Sequence, residues 1–290
     1  MKKIKLKSVA KINLVLEVVK KMPNGFHEIR TVMLKTENIF DEIELFFDES
    51  CAGIEIVCNN PNVPLNQKNI CWKIAEQFFK KTGRHVGLKI KIKKNIPLAS
   101  GMGGGSSNGA VVALALNEYF KNSLSEKKLI KIVSEVGKDI PFFISQSKLA
   151  SISGMGEKIK PIKNSFKFNV LIINPAGEIP TPWAYGELDQ YLFFMHETKR
   201  KNITREFINN ISNLEKFSGC LYNDFSVVAK KKYSNLEILE KALIAFGAMG
   251  ASISGKGPTV FGIFKTKKEA LKAKEILKKY YPQFFVELAV

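Results

Sequence analysis

The chain has 290 residues, 45% of them hydrophobic, with 45 basic and 27 acidic residues and a formal net charge of +18. That length suits one large domain or two of ordinary size. No run of 18 apolar residues occurs, which excludes a membrane-spanning helix, and the basic start lacks the apolar stretch of a signal peptide. Four cysteines without a CxxC pair and three histidines indicate neither a zinc site nor a disulfide framework, so we expect a reduced, cytoplasmic location.

The positive charge raises the question of nucleic-acid binding. The lysines stand singly or in pairs on expected outer faces, as in the last predicted helix between residues 267 and 279. That distribution is typical of a solvated surface, and part of the excess can steer polyanionic substrates toward a cleft. We therefore expect neither a nucleic-acid partner nor a membrane partner.

The first half of the chain is predicted to be rich in strands. Its opening strand alternates, and one face carries the apolar set Ile4, Leu6, Ala10, Ile12, Leu14, Leu16 and Val18. A turn at residues 23–25 ends this strand. Further strands are predicted over residues 29–34, 43–47, 54–58 and 88–93. Helices are predicted over residues 70–81 and 126–136, and another follows the glycine-rich turn that ends near residue 105.

A loop around residues 161–165 separates the halves, which places the predicted domains at residues 1–163 and 164–290. The second half is predicted to contain a strand over 169–173, helices over 205–217 and 236–246, and a strand-turn-strand unit near residue 255. A capping box formed by Thr266 and Glu269 opens the last helix, and a strand over 284–288 follows. Strict βαβ alternation is absent, which favours an α+β architecture over a doubly wound sheet.

The most informative segment lies between a predicted strand and a predicted helix, at residues 94–108. Its glycines let the backbone approach a ligand closely, and Ser106 and Ser107 stand where the helix begins. Backbone N–H groups at a helix N-terminus present partial positive charge to an anion. The segment therefore predicts a phosphate-binding turn, and the two hydroxyls can cap the helix as well as contact phosphate.

Other known phosphate-binding motifs do not fit this turn. A P-loop needs Lys directly before its Ser or Thr, whereas Gly105 precedes Ser106. A dinucleotide-binding motif needs a third Gly where Ser106 stands and an acidic residue at a strand end about 20 positions on. Glu118 lies inside the predicted helix instead. The chain also lacks the HRD and DFG triplets of protein kinases.

The remaining pattern, Pro-x-x-x-Gly-x-Gly-Gly-Gly-Ser-Ser, resembles the phosphate loop of the GHMP kinases, a family of small-molecule ATP kinases. Residues 250–259 resemble that family's third motif, a second glycine-rich turn. Further segments resemble one branch of the family, whose acceptor is 4-diphosphocytidyl-2-C-methyl-D-erythritol. These are AKINL at 10–14, PNGFHE at 23–28, GKDIPFF at 137–143, IPTP at 179–182 and NDF at 223–225. The segments occur in the family's order and span nearly the whole chain.

The resemblance implies the two-domain GHMP kinase fold, with an N-terminal ATP-binding domain, a C-terminal domain and the active site between them. It implies ATP and Mg²⁺, a small-molecule substrate, and phosphorylation of that substrate's 2-hydroxyl in the non-mevalonate isoprenoid route. A monomer or a homodimer is expected. The implied nucleotide-binding residues are Lys94, Pro97, Gly101, Gly103, Gly104, Gly105, Ser106 and Ser107. Ser107 is also the implied Mg²⁺ ligand.

The resemblance places Lys11 and Asp139 at the acceptor hydroxyl. Asp139 would accept its proton, and Lys11 would stabilise the transferring phosphoryl group. Taken without the family, Asp139 suits a turn after Gly137 and Lys11 suits an ordinary strand edge. Strand periodicity supports one detail independently, since Lys11 and Asn13 are two residues apart and share a face. Asn13 is therefore assigned to substrate binding.

The resemblance also implies residues that bind cytosine. Phe26 would offer a stacking face, and His27 would hydrogen-bond to the base edge, although a surface histidine is the alternative. Tyr185 would stack on the other face of the base or belong to the core. Lys256 replaces a usually small residue in the third motif, where it can contact phosphate or solvent. Gly109 replaces a common Ala, at a cost of ~1 kcal/mol in helix propensity.

Two rival functions are weighed against this one. Another GHMP kinase, acting on homoserine or mevalonate, would have an acceptor without a base and no use for Phe26, His27 and Tyr185. A catalytically inactive, nucleic-acid-binding relative would use the basic surface, but Lys11, Asp139 and both serines are retained. Assays of acceptor choice and of ATP turnover separate these alternatives.

Overall fold

The structure is a computed structural model that describes residues 2–163, 168–195 and 202–290. The strands are β1 (Lys2–Lys21), β2 (His27–Asp48), β3 (Ile54–Cys58), β4 (Gly87–Lys93), β5 (Leu149–Gly154), β6 (Lys158–Pro161), β7 (Asn169–Asn174), β8 (Tyr222–Asn223), β9 (Gly250–Ile253), β10 (Val260–Phe264) and β11 (Phe285–Leu288). The helices are α1 (Ile70–Thr82), α2 (Gly104–Tyr119), α3 (Glu126–Ser134), α4 (Ile140–Ile144), α5 (Thr181–Met195), α6 (Ile203–Asn210), α7 (Leu214–Ser218), α8 (Phe225–Lys232), α9 (Asn235–Ala245) and α10 (Lys267–Tyr280).

The first sheet has the strand order β3-β4-β2-β1-β8, with β5 pairing to β2 and β6 to β5. Its central pair, β1 and β2, runs antiparallel from the pairing of Lys2 with Phe47 to that of Lys21 with His27. Apolar side chains from β2 and β4 pack against α1, α2 and α3 in one buried cluster. That cluster fixes α2, and therefore the turn that precedes it, at the end of the sheet.

The pairing of β1 with β2 is interrupted next to Lys11, a predicted site residue. The partner changes from Phe40 opposite Val9 to Lys35 opposite Lys11, so the residues between Lys35 and Phe40 leave the ladder. The Thr36 hydroxyl donates to the Ile39 carbonyl at 2.7 Å and closes this excursion. Such bulges re-aim nearby side chains. The two separately predicted strands are consequently one strand, β2, with an irregularity in it.

The second sheet has the order β11-β7-β10-β9 and is antiparallel throughout. The two halves of the chain share their cores. Leu16 of β1 lies in one buried cluster with Val260 of β10, and Ile12 lies in another with Ile172 of β7. Two sheets with mostly antiparallel pairing confirm the α+β prediction. The loop predicted at 161–165 lies partly outside the described residues, so the boundary between residues 163 and 164 stays a prediction.

Several elements differ from the sequence-based expectation. The elements β5, β6, β8, α4, α5 and α8 were not predicted. The helix expected over 205–217 is two helices, α6 and α7. Asn213 separates them because its side chain accepts from the Lys216 N–H at 3.1 Å and caps α7. The structure also explains why glycine occupies position 109. A Cβ there would lie 2.7 Å from a methyl carbon of Ile70, so glycine permits close packing of α1 on α2.

Membrane insertion finds no support among the described helices. None of them combines the length and the apolar character that crossing a bilayer requires.

Candidate active site

The glycine-rich turn between β4 and α2 adopts a backbone that only some residues tolerate. Ala99, Gly101 and Gly103 all have positive φ, at 51°, 79° and 69°. A Cβ on Gly101 would lie 2.3 Å from the carbonyl oxygen of Ser254, so glycine is required there both for backbone conformation and for space. The turn therefore lies directly against the second glycine-rich turn, a contact that the sequence analysis did not predict.

The start of α2 presents backbone donors without a side-chain cap. Gly103 is the N-cap, and the Ser107 N–H makes a helical bond to the Gly103 carbonyl at 2.9 Å. The N–H groups of Gly104, Gly105 and Ser106 precede that bond, so they lack helical acceptors. The first turn contains no acidic residue. This arrangement suits an anion such as a phosphate.

The two serines of α2 differ in their surroundings. Ser107 is buried, with its hydroxyl 2.8 Å from that of Ser8 on β1, and the same Ser8 hydroxyl lies 2.8 Å from the Asn108 side-chain oxygen. Ser106 is half-buried on the side of Gly137. Sequence reasoning missed Ser8, whose only signal is its place on the predicted strand three residues before Lys11.

Lys94 lies at the start of α2 but already has a counter-ion. Its ammonium pairs with Asp41, which is fully buried and also accepts from the N–H groups of Asn95 at 2.8 Å and Ile96 at 2.9 Å. A Cβ on Gly104 would lie 3.1 Å from that ammonium. Asp41 thus fixes both the lysine and the entry into the turn. A nucleotide-binding role for Lys94 and for the half-buried Pro97 stays a prediction.

Lys11 is buried at the centre of the site. Its ammonium donates to the Asn13 side-chain oxygen at 2.5 Å and to the Gly101 carbonyl at 2.8 Å, and lies 3.6 Å from an Asp139 carboxylate oxygen. Burial lowers the pKa of Lys11, and the charge and hydrogen bond of Asp139 raise it part of the way back. The same face of β1 therefore carries Lys11 and Asn13, as the spacing predicted.

Asp139 precedes α4 as its N-cap residue, yet its carboxylate makes no capping bond. About a third of the side chain is exposed, at 35%. Its turn position agrees with the plain structural interpretation, while its carboxylate faces Lys11 as the catalytic interpretation requires. Pro141 at the second position of α4 fits a helix start, because an N–H is not needed there.

The second half of the chain supplies residues that lie beside β1 at this site. The Ser254 hydroxyl contacts the Gly101 carbonyl and the Asn13 N–H, both at 3.2 Å. Asn223 donates to the carbonyls of Ile253 and Gly255, both at 2.6 Å. The NDF motif thus holds the second glycine-rich turn in place beside Lys11.

Lys256, in the same turn, is half-buried rather than free in solvent. Burial lowers its pKa; the charge of Glu178 opposes that shift, and the charges of Lys11 and Lys232 add to it. Lys256 therefore adds positive charge to the neighbourhood of Lys11.

Three predicted substrate residues form a second group around the start of β2 and α5. The His27 ring stacks on Tyr185 with centroids 4.5 Å apart and planes at 25°, and Tyr185 meets Phe225 edge-on at 4.9 Å. Phe26 is 52% exposed, with the Lys138 ammonium 5.4 Å from its ring centroid. The His27 ring, and not an open space, lies against Tyr185. A base that stacks between Phe26 and Tyr185 would therefore have to move the His27 ring or stack on another part of Tyr185.

Tyr185 belongs partly to the core and partly to the cleft. Burial raises the pKa of Tyr185 to about 12, and the negative charges of Asp139 and Asp189 add to the effect. Both interpretations of Tyr185 therefore describe part of its surroundings, and base stacking on it stays a prediction.

Sequence reasoning missed Asp189. One carboxylate oxygen lies 2.5 Å from His27 Nε2 and the other 2.7 Å from the Lys21 ammonium. Burial alone would raise the pKa of Asp189, but the hydrogen bonds from Lys21 and His27 outweigh it and lower that pKa. The available signal was its position one helical turn after Tyr185.

Comparisons with known proteins identify the family. A sequence profile of the GHMP kinases N terminal domain matches residues 69–147, and one of the GHMP kinases C terminal region matches residues 200–283. The 4-diphosphocytidyl-2-C-methyl-D-erythritol kinase of Syntrophus aciditrophicus is 36% identical over 276 residues, which cover 95% of both chains. That of Acetivibrio thermocellus is 36% identical over 290 residues and covers 99% of both.

Solved structures agree on the fold. The crystal structure of a 4-(cytidine 5'-diphospho)-2C-methyl-D-erythritol kinase superposes with a TM-score of 0.78 at 22% identity and covers 98% of both chains. A homoserine kinase from Cytophaga hutchinsonii reaches 0.71 at 17% identity and covers 97% of this chain and 94% of its own. The chain belongs to the GHMP kinase family and, within it, to the 4-diphosphocytidyl-2-C-methyl-D-erythritol kinases. The predicted resemblance is confirmed by the sequence relatives, because the fold alone is shared with homoserine kinase.

Proposed function

We propose that this enzyme transfers the γ-phosphate of ATP to the 2-hydroxyl of 4-diphosphocytidyl-2-C-methyl-D-erythritol. The observation that carries the proposal is the Lys11–Asp139 pair, 3.6 Å apart beside the glycine-rich start of α2. Transfer to a hydroxyl needs a group that orients its proton and a positive charge that stabilises the phosphoryl group. The pair supplies both within one cleft.

Asp139 accepts or orients the proton of the acceptor hydroxyl in this mechanism. Its carboxylate is partly exposed and free of capping bonds, so a hydroxyl can reach it. Lys11 holds its position through Asn13 and the Gly101 carbonyl, and needs no reorganisation to meet the charge that develops on the phosphoryl oxygens. An acceptor hydroxyl at Asp139 would then lie next to the turn to which we assign the phosphates.

The triphosphate of ATP fits the N–H groups at the start of α2, in agreement with the glycines that open this backbone. Mg²⁺ would supply positive charge that neutralises the triphosphate. Ser107 offers the oxygen ligand, since Mg²⁺ in such sites takes few protein ligands. No group of three or more His, Cys, Asp or Glu side chains that could hold a metal ion occurs in the described ranges.

The test is ADP release by the purified enzyme with ATP, Mg²⁺ and one acceptor at a time. We expect turnover with the cytidine substrate and little with homoserine or mevalonate. Turnover with either of the latter alone would replace this proposal by another GHMP kinase activity. A DNA or RNA titration at several salt concentrations covers the nucleic-acid alternative, for which we expect no specific binding. The cytoplasmic location and the monomeric or dimeric state stay predictions.

A further inference from the structure

The side chain of His27 is held in one orientation by two neighbours on α5. Tyr185 covers its ring face at 4.5 Å, and Asp189 lies 2.5 Å from its Nε2 atom. Only 7% of the His27 side chain is exposed. Lys21 in turn holds the second carboxylate oxygen of Asp189 at 2.7 Å. Stacking on Tyr185 thus fixes the plane of the His27 ring, and the contact with Asp189 fixes the direction in which Nε2 points.

This contact determines which ring nitrogen carries the proton. An ionised carboxylate can only accept hydrogen bonds, so Nε2 of His27 must be the donor to Asp189. In the neutral form of the ring, which has one N–H and one lone pair, this contact leaves the lone pair at Nδ1. Within the described ranges Nδ1 of His27 has no hydrogen-bond partner. It is therefore available to a ligand as an acceptor.

An acceptor at this place distinguishes two pyrimidines. Cytosine carries an amino group at position 4, which donates, whereas uracil carries a carbonyl oxygen there, which accepts. A lone pair at Nδ1 binds the amino group and opposes the carbonyl oxygen, so the same atom selects for one base and against the other.

We propose that Asp189 is a positioning residue that holds His27 in the Nε2–H tautomer and thereby makes the enzyme select cytidine over uridine diphosphate substrates. The inference rests on the proposed function, in which His27 contacts the base. Asp189 itself does not touch the base. Its influence passes through the tautomer of His27.

The tautomer is measured directly in the ligand-free protein, by long-range ¹H–¹⁵N correlation of the histidine rings, with His27 assigned from the signals lost in His27→Gln. We expect the Nε2–H pattern in the parent enzyme and in Asp189→Glu, which keeps a carboxylate. Asp189→Asn can donate as well as accept, so we expect it to populate the Nδ1–H form. Lys21→Met is the matched control, because it removes the other partner of Asp189 and leaves the carboxylate.

Kinetics then connect the tautomer to selectivity. We expect the cytidine-to-uridine ratio of kcat/KM to fall at least about tenfold in Asp189→Asn, with the loss mainly in KM for the cytidine substrate, and to be kept in Asp189→Glu and Lys21→Met. A parent enzyme in the Nδ1–H form, or a changed tautomer with an unchanged ratio, overturns the proposal. If the parent does not turn over the cytidine substrate, the proposed function fails instead, and the tautomer measurement still decides the role of Asp189.

Discussion

The ammonium nitrogen of Lys11 lies 3.6 Å from a carboxylate oxygen of Asp139, although the two residues belong to β1 and to the turn before α4. The two hydrogen-bond acceptors of this ammonium besides Asp139 are neutral oxygens, from the Asn13 side chain and the Gly101 carbonyl. Asp139 is therefore the contact that partly offsets the effect of burial on the pKa of Lys11.

Replacing Asp139 by Asn should leave a folded protein that binds both substrates but turns over slowly. The amide cannot take the hydroxyl proton, and a positioned acid–base group contributes about 10²–10⁴ in rate. Steady-state ADP release measures the loss. Asp48→Asn is the control, because the Asp48 carboxylate accepts from the N–H and the hydroxyl of Ser50 at a surface turn, away from Lys11. A variant that keeps more than about half the parent rate would remove Asp139 from the mechanism.

The pH profile should report the coupling of this pair. Activity that needs protonated Lys11 falls as pH rises through the pKa of that residue, which burial holds below its usual 10.5. Asp139 raises this pKa, so its removal lowers it further. In the residual activity of Asp139→Asn we therefore expect the alkaline limb to move to lower pH. A limb that stays in place, or moves to higher pH, contradicts the assignment of Lys11.

Gly101→Ala should destabilise the protein much more than Gly25→Ala, although both glycines have similar φ, 79° and 82°. A Cβ at Gly25 meets no atom within 4 Å, so only the left-handed backbone is strained, by about 1–2 kcal/mol. At Gly101 the Cβ would also lie 2.3 Å from the Ser254 carbonyl oxygen. We expect a loss above about 3 kcal/mol in urea unfolding. Equal losses at both sites would show that the two turns separate easily.

Phe26→Ala should weaken binding of the cytidine substrate without unfolding the enzyme, because the side chain is 52% exposed. Loss of one base–aromatic stacking contact costs about 1–3 kcal/mol, so we expect KM to rise roughly five- to a hundredfold. The KM for ATP should hardly change. Tyr280→Ala removes a similarly exposed aromatic, 68% exposed on the last helix, and should leave both KM values unchanged. An unchanged KM in Phe26→Ala would exclude stacking on this ring.

The sequence predicted those elements whose signals are local. The opening strand follows from its alternation, and α10 begins at the capping box of Thr266 and Glu269, in which both expected hydrogen bonds form. In contrast, α5 was missed because, among its residues 181–191, Ala184 and Leu188 are the buried ones and Gly186 interrupts the helical pattern. Ala184 and Leu188 pack in the buried cluster that also contains Leu16 and Val260. A local sequence pattern does not contain such long-range packing.

For the candidate site, too, some neighbouring residues were predicted from the sequence and others were not. Motif order brought Lys11, Asn13 and Asp139 to one cleft, and strand periodicity gave part of that result independently. The contacts of Ser8 with Ser107 and of Asp189 with His27 could not be predicted, because each joins two elements that are far apart in the sequence. No local sequence pattern indicates that such elements meet. Long-range hydrogen bonds of this kind depend on the irregular pairing of β1 with β2 and on the position of α5.

The two-residue strand β8 has a consequence for dissecting the enzyme. It pairs with Val15 and Leu16 of β1, so the edge of the first sheet is completed by the second half of the chain. A fragment ending before β7 would leave that edge bare and expose Leu16 and Val18 to water, and bare edges recruit other chains. We expect such a fragment to aggregate when expressed alone. Co-expression with the complementary fragment should restore solubility, which makes this kinase a candidate for a split-protein reporter.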